Sequence, residues 1–235
     1  MVKMNMIFRD RIDAAEKLEK LEWLKEEEQD RGETKSSIII LAIPRGGVII
    51  GDVIASELNA KLDVVVSRKI GAPNNPELAI GAVMPDGSYF INQEIINMLN
   101  ISEEYIWIQA HEQIKEIDRR LMSYRGSKQY DNEFEDKIVV IVDDGIATGA
   151  TMLASSQWIK NNQHCKKLVI AVPVAPRTIL DDLNQVVDDD DYDDEVIVLY
   201  SPLSFEAVGQ FYHDFSQVSE FEVKEIMKKY GYRVS

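Results

Sequence analysis

Between Lys137 and Met152 the chain reads KIVVIVDDGIATGATM. Five apolar residues, Ile138 to Val142, stop at two adjacent carboxylates, Asp143 and Asp144, and a turn of Gly, Ala and Thr leads into a helical pattern. The backbone amides of such a turn, with a helix N-terminus behind them, form a cradle for a phosphate dianion. Thr148 and Thr151 add hydroxyl donors. The acids precede the cradle, and carboxylates accept hydrogen bonds from hydroxyls while repelling phosphate. The stretch therefore suits a 5-phosphorylated ribose, phosphate on the amides and sugar hydroxyls on the acids. Its glycine spacing is not that of the dinucleotide fingerprint, and it lacks the Gly-Lys-Ser/Thr of a Walker loop.

Two further loops have unusual composition. Pro44-Arg45-Gly46-Gly47 pairs glycines, which let backbone approach a ligand closely, with an arginine whose planar donor fork fits phosphate oxygens. Alone it is equally a strand-to-helix turn with a surface arginine. SRKIGAPNNPE, Ser67 to Glu77, sets Arg68 and Lys69 at a strand end, and Gly71, Pro73 and Pro76 make the rest of the loop read as irregular and mobile. Beside an anion site it reads as a lid that excludes water, and otherwise as a solvated basic pair.

The elements that must position these loops emerge from hydrophobic patterning. Phe8 to about Asp30 reads as a helix ended by Arg31-Gly32. SIIILAIP is a strand buried on both faces, Val48–Leu58 a helix, and LDVVVS a second buried strand: a parallel βαβ unit. Short strands near Gly81–Met84 and Tyr89–Ile91 flank the turn Pro85-Asp86-Gly87. Gln93 to about Arg125 is mainly helical, with Ser102 opening its longer half, and serves packing and dimer contact. Lys137–Val142 is a third buried strand, Ala150–Asn161 its helix, Leu168–Val174 and Val196–Tyr200 further strands, and Val218–Tyr230 a last helix. The fold class is α/β, a central, mostly parallel sheet flanked by helices. We expect one domain over residues 1–235: an N-terminal helix (1–36), a core (37–200) and a small C-terminal hood with its helix (201–235). In open parallel sheets, ligands bind beyond the carboxyl ends of the strands, which is where all three loops fall.

Composition narrows the classes. The chain has 235 residues, 45% apolar, enough for one sizeable core. Lys+Arg 26 against Asp+Glu 41 gives a net charge of −15, which argues against non-specific nucleic-acid binding and anionic membrane surfaces. The acidic run Asp188–Glu195 lacks the spaced oxygen ligands and glycine of a calcium loop and reads as a solvated loop. One cysteine, Cys165, permits no intramolecular disulfide and fits a reducing compartment. The N-terminus has no signal-peptide apolar region, and no stretch approaches the roughly 20 apolar residues of a membrane span. The expected location is cytoplasmic.

VVIVDDGIATGATM resembles the signature of the type I phosphoribosyltransferases, which bind 5-phosphoribosyl-1-pyrophosphate (PRPP). The resemblance spans about Ile38 to Tyr200. It implies that Asp143 and Asp144 hold the ribose hydroxyls, that Ala147, Thr148, Gly149, Ala150 and Thr151 form the 5-phosphate loop, and that Gly145 and Ile146 also line the PRPP site. Arg45-Gly46-Gly47 is similar to the pyrophosphate loop, where the family often has a cis peptide without proline. Arg68-Lys69 resembles the start of the flexible loop in adenine-type enzymes. SFEAVGQFYHDFSQ is similar to the hood of hypoxanthine-guanine enzymes, which with a one-residue shift makes Phe205 a base-stacking residue and Asp214 a magnesium ligand. An aromatic mini-core is the competing reading there. The Phe-Arg-Asp-Arg start and DFSQVS resemble predicted bacterial and archaeal phosphoribosyltransferases whose acceptor is not settled. Hypoxanthine-guanine enzymes carry a candidate base, an Asp, where this chain has Ala147. Glu77 is the alternative base.

The resemblance implies Mg²⁺-dependent transfer from PRPP to a nitrogen acceptor, with Arg45 and Lys69 stabilising the pyrophosphate charge, in a homodimer. A PRPP- or nucleotide-binding regulatory protein without turnover is the second class. Its members typically show a basic face or an added DNA-binding domain.

Overall fold

A computed structural model describes residues 7–19, 38–130, 133–162, 164–187 and 194–234. Five strands form one parallel sheet: β1 (Ile38–Ala42), β2 (Lys61–Val64), β6 (Ile138–Val142), β7 (Lys167–Val174) and β8 (Glu195–Tyr200). Their order is β2-β1-β6-β7-β8, and every neighbouring pair is parallel. All residues of β1, β6 and β7 are buried, which is why these segments read as unbroken β-branched runs instead of alternating ones. The helices α1 (Arg11–Glu19), α2 (Gly46–Leu58), α3 (Gln93–Leu99), α4 (Glu103–Arg125), α5 (Ala150–Asn162), α6 (Leu180–Val187) and α7 (Glu220–Lys229) complete the layers. A central parallel sheet flanked by helices is the expected fold.

Local chemistry sets the helix ends. Asp10 opens α1 by accepting from the Asp13 amide at 2.8 Å. Asn92 and Ser102 cap α3 and α4, accepting from the Ile95 and Tyr105 amides at 3.1 and 3.2 Å. The expected helical stretch is two helices divided at Asn100, which sits at φ 50°, and Ser102 opens the longer one as expected. The 3-10 turn Arg177–Ile179 and α6 add to the elements expected from the sequence. The expected helix beyond Glu19 and the acidic run Asp188–Asp193 lie outside the described residues.

The segment read as an irregular lid is instead regular. β3 (Arg68–Ala72), β4 (Asn75–Val83) and β5 (Tyr89–Ile91) form an antiparallel sheet of their own. Pro73-Asn74 turns the chain, with Asn74 at φ 63°. Register shifts fall on either side of Gly71, where a β-carbon would sit 2.7 Å from the Pro76 carbonyl oxygen. The glycine and prolines that suggested disorder accommodate a bulge in a hairpin. No described helix is long and apolar enough to cross a membrane.

Candidate functional site

Because β2, β1 and β6 are adjacent and parallel, the loops leaving their carboxyl ends meet at one edge. They enclose a cleft of about 320 Å³ lined by Pro44, Ser67, Arg68, Lys69, Asp143 and Thr151, with Arg120 reaching in from α4. The Ser67 hydroxyl is buried there without a hydrogen-bond partner.

The acid pair is held from two sides. Asp143 Oδ1 accepts from the Asp144 amide at 2.8 Å. Arg11 Nε donates to Asp144 Oδ2 at 2.7 Å, with only 11% and 14% of the two side chains exposed. The Tyr212 hydroxyl donates to the Asp144 carbonyl at 2.6 Å. Burial, and then the Asp144 charge, raise the Asp143 carboxyl well above the usual carboxylate range. Burial raises Asp144 as well, opposed by the charge and hydrogen bond of Arg11. Arg11 was not singled out from the sequence. The Phe-Arg-Asp-Arg start marked its segment, but its partner lies 133 positions away and no local pattern connects them.

The Pro44–Arg45 peptide is cis, as the resemblance implied. Both glycines after it lie against the acids. A β-carbon at Gly46 would fall on the Asp144 carboxylate, and one at Gly47 would lie 2.7 Å from the Val142 carbonyl oxygen. Arg45 stands at the N-terminus of α2, and its guanidinium has no ion-pair partner among the described residues.

In the turn after the acids, Gly149 takes φ 79°, and a β-carbon there would run into Ile179. The first α5 amides have no intrahelical partner, and the described backbone supplies no carbonyl for the amides from Ala147 to Met152. Ala147 and Thr148 are exposed and Thr151 is half-buried. This is a row of donors at a helix N-terminus.

The other predicted residues divide between the cleft and its surroundings. Lys69 reaches the cleft, but its Nζ pairs with Glu77 Oε2 at 2.9 Å. Glu77 is 89% exposed in its side chain and borders a separate groove of about 730 Å³ between β4 and α5. It does not line the cleft of the acids, so the structure does not support it as a base there. Arg68 Nε donates to Gln113 Oε1 at 3.0 Å. Phe205 packs on Phe211, ring centroids 5.3 Å apart, and Phe211 on Tyr200 at 5.7 Å. That is the aromatic mini-core. Asp214 is exposed and accepts from the Ser216 amide at 2.9 Å. It joins no metal-ligating cluster: no group of three or more His, Cys, Asp or Glu residues suited to a metal occurs among the described residues.

The fold is that of an α/β protein whose polar cleft opens at the carboxyl edge of a parallel sheet. The chain belongs to the phosphoribosyl transferase domain family, whose model matches residues 11–216. Two curated Mycobacterium tuberculosis proteins, from strains CDC 1551 and H37Rv and both named "Putative phosphoribosyl transferase", are 38% identical to it over 187 residues. The match covers 80% of this chain and 40% of each of theirs, so the chain spans two-fifths of the length of these relatives. The crystal structure of TT1426 from Thermus thermophilus is 33% identical, with 96% of this chain and 99% of that one covered and a TM-score of 0.74.

Proposed function

We propose that the protein transfers ribose 5-phosphate from Mg²⁺-bound PRPP to a nitrogen nucleophile, a nitrogenous base or a relative of one, and releases pyrophosphate. One observation carries the reading. Along a single sheet edge the chain sets out an arginine fork with no ion-pair partner among the described residues beside two glycines, an acid pair mostly shielded from solvent, and a run of amides with no backbone partner among the described residues at a helix N-terminus. That is the order of pyrophosphate, ribose hydroxyls and 5-phosphate in PRPP.

In this reading the 5-phosphate takes the amides from Ala147 to Thr151 and the Thr148 and Thr151 hydroxyls. Asp143 and Asp144 accept from the ribose hydroxyls and favour positive charge developing on the ring. Arg45, Lys69 and the Gly46-Gly47 backbone receive the pyrophosphate, where preorganised donors stabilise the departing charge. Bound together with PRPP, magnesium would offset part of that charge. The C1–oxygen bond breaks with its electron pair on pyrophosphate, and the acceptor nitrogen forms the new bond to C1. Ala147 provides no base, so the acceptor's proton leaves by another route. The resemblance implies a homodimer, which sedimentation would test.

The test is thermal stabilisation by PRPP with Mg²⁺, followed by pyrophosphate release with a panel of purines and pyrimidines. Asp143→Asn combined with Asp144→Asn should abolish the stabilisation. PRPP binding within a few-fold of wild type in that variant would overturn the assignment. Binding without release for any acceptor would favour the regulatory class.

A further inference from the structure

We propose that Arg11 is a positioning residue for the sugar end of the site: it fixes one oxygen of Asp144 so that the other is presented to a ribose hydroxyl. The inference rests on the reading of Asp143 and Asp144 as sugar acids and goes beyond it, because it makes the two ends of the described chain part of the site.

The guanidinium of Arg11 is constrained on three sides. Its Nε donates to Asp144 Oδ2 at 2.7 Å, its Nη1 donates to the Ser216 carbonyl at 2.8 Å, and its Cζ lies 4.0 Å from the centre of the Phe215 ring. Phe215 rests on Tyr212, centroids 5.0 Å apart, and the Tyr212 hydroxyl bonds the main-chain carbonyl of Asp144. The same C-terminal segment therefore grips the acid at its backbone and braces the arginine that grips its carboxylate. The two segments are joined by backbone bonds: the Ile7 and Phe8 amides donate to the Phe211 carbonyl at 3.0 and 2.9 Å. The His213 and Asp214 amides donate to the Phe8 and Arg9 carbonyls at 2.9 Å each. On the remaining side the carboxylate occupies the space that the absent side chain of Gly46 leaves open. A planar fork held this way fixes the carboxylate's direction as well as its charge.

A purely structural staple would look the same in a static picture, so the test must read the sugar. Binding of ribose 5-phosphate, 2,3-dideoxyribose 5-phosphate and inorganic phosphate is measured by calorimetry on the full chain, wild type and variants. In wild type, ribose 5-phosphate should bind more tightly than its dideoxy counterpart. Arg11→Gln should lower ribose 5-phosphate affinity about tenfold, the scale of one charge-assisted hydrogen bond. The ratio between the two sugars should fall to within about twofold of unity, while inorganic phosphate, bound at the amides, is unchanged. Arg11→Lys should restore part of the ratio. If Arg11→Gln does not fold, Phe215→Leu, which removes the brace and keeps the charge, should reduce the ratio in the same direction. A variant that folds and keeps the wild-type ratio overturns the role of Arg11 while the functional reading stands. A wild type that does not distinguish the two sugars overturns both.

Discussion

Gly46 and Asp144 are in contact so close that a β-carbon at position 46 would occupy the place of the Asp144 carboxylate. One loop thus sets the volume limit of the other, although the two are far apart in sequence. Gly46→Ala should displace the carboxylate and loosen its bond to Arg11. We expect a destabilisation of about 1–3 kcal/mol, the range for overpacking, seen in urea denaturation. The same variant should lose affinity for ribose 5-phosphate more than for inorganic phosphate.

If Asp143 receives the ribose as proposed, its raised carboxyl should make sugar binding pH-dependent. Burial and the Asp144 charge let the folded protein keep this proton above the ordinary value of 3.8. Ribose hydroxyls donate to the ionised form, so discrimination between ribose 5-phosphate and inorganic phosphate should strengthen as pH rises through the raised value. Asp143→Asn should flatten that profile. For stability the sign is opposite. Between 3.8 and the raised value the native state binds more protons than the unfolded state, so this group's contribution falls as pH rises.

Glu116 gives the reverse pH signature. Hydrogen bonds from Arg119 and then Arg120 lower it from 4.5 to about 2, and Glu116 Oε1 accepts from Arg120 Nε at 2.7 Å. Its stabilisation is present above 4.5 and is lost as pH falls toward about 2. Glu116→Gln should lower the melting temperature at neutral pH, by the equivalent of about 0.2–1 kcal/mol for a pair near the surface. The difference should close as pH falls.

A deeper charge pair supports the strand that carries the basic loop. Arg125 Nε and Nη2 donate to Asp63 Oδ1 and Oδ2 at 2.7 and 2.9 Å, and both side chains are almost fully buried. Removing one partner leaves an uncompensated buried charge. Arg125→Met should cost about 3–5 kcal/mol in chemical denaturation, and Arg125→Met with Asp63→Leu should cost less than the single variant.

How far the sequence could be read depended on how local the determining contacts were. The parallel strands were legible because both faces are buried, and Ile138–Val142 and Leu168–Val174 show it residue by residue. The turn of amide donors at the helix N-terminus was legible because those donors are consecutive. The Arg68–Val83 hairpin was obscured by Gly71, Pro73 and Pro76, which sit at a bulge and turn yet look locally like disorder. The pairing of Glu77 with Lys69 was hidden for the same reason, since it arises across the hairpin. Arg11 and Arg120 were hidden because their roles arise from packing between distant segments. Phe205 and Asp214 depended on a hood alignment shifted by one residue, and the packing of Phe205 on Phe211 joins residues that no local pattern connects.

The clasp between the two end segments has a consequence for biosynthesis. All three loops leave the ribosome before the segment that braces Arg11. A nascent chain that has reached Tyr200 holds the arginine fork, the acid pair and the amide row, yet neither Phe215 nor Ser216 has been made. The sugar end of the cleft is therefore completed last, by backbone bonds between Phe8 and the stretch from Phe211 to His213.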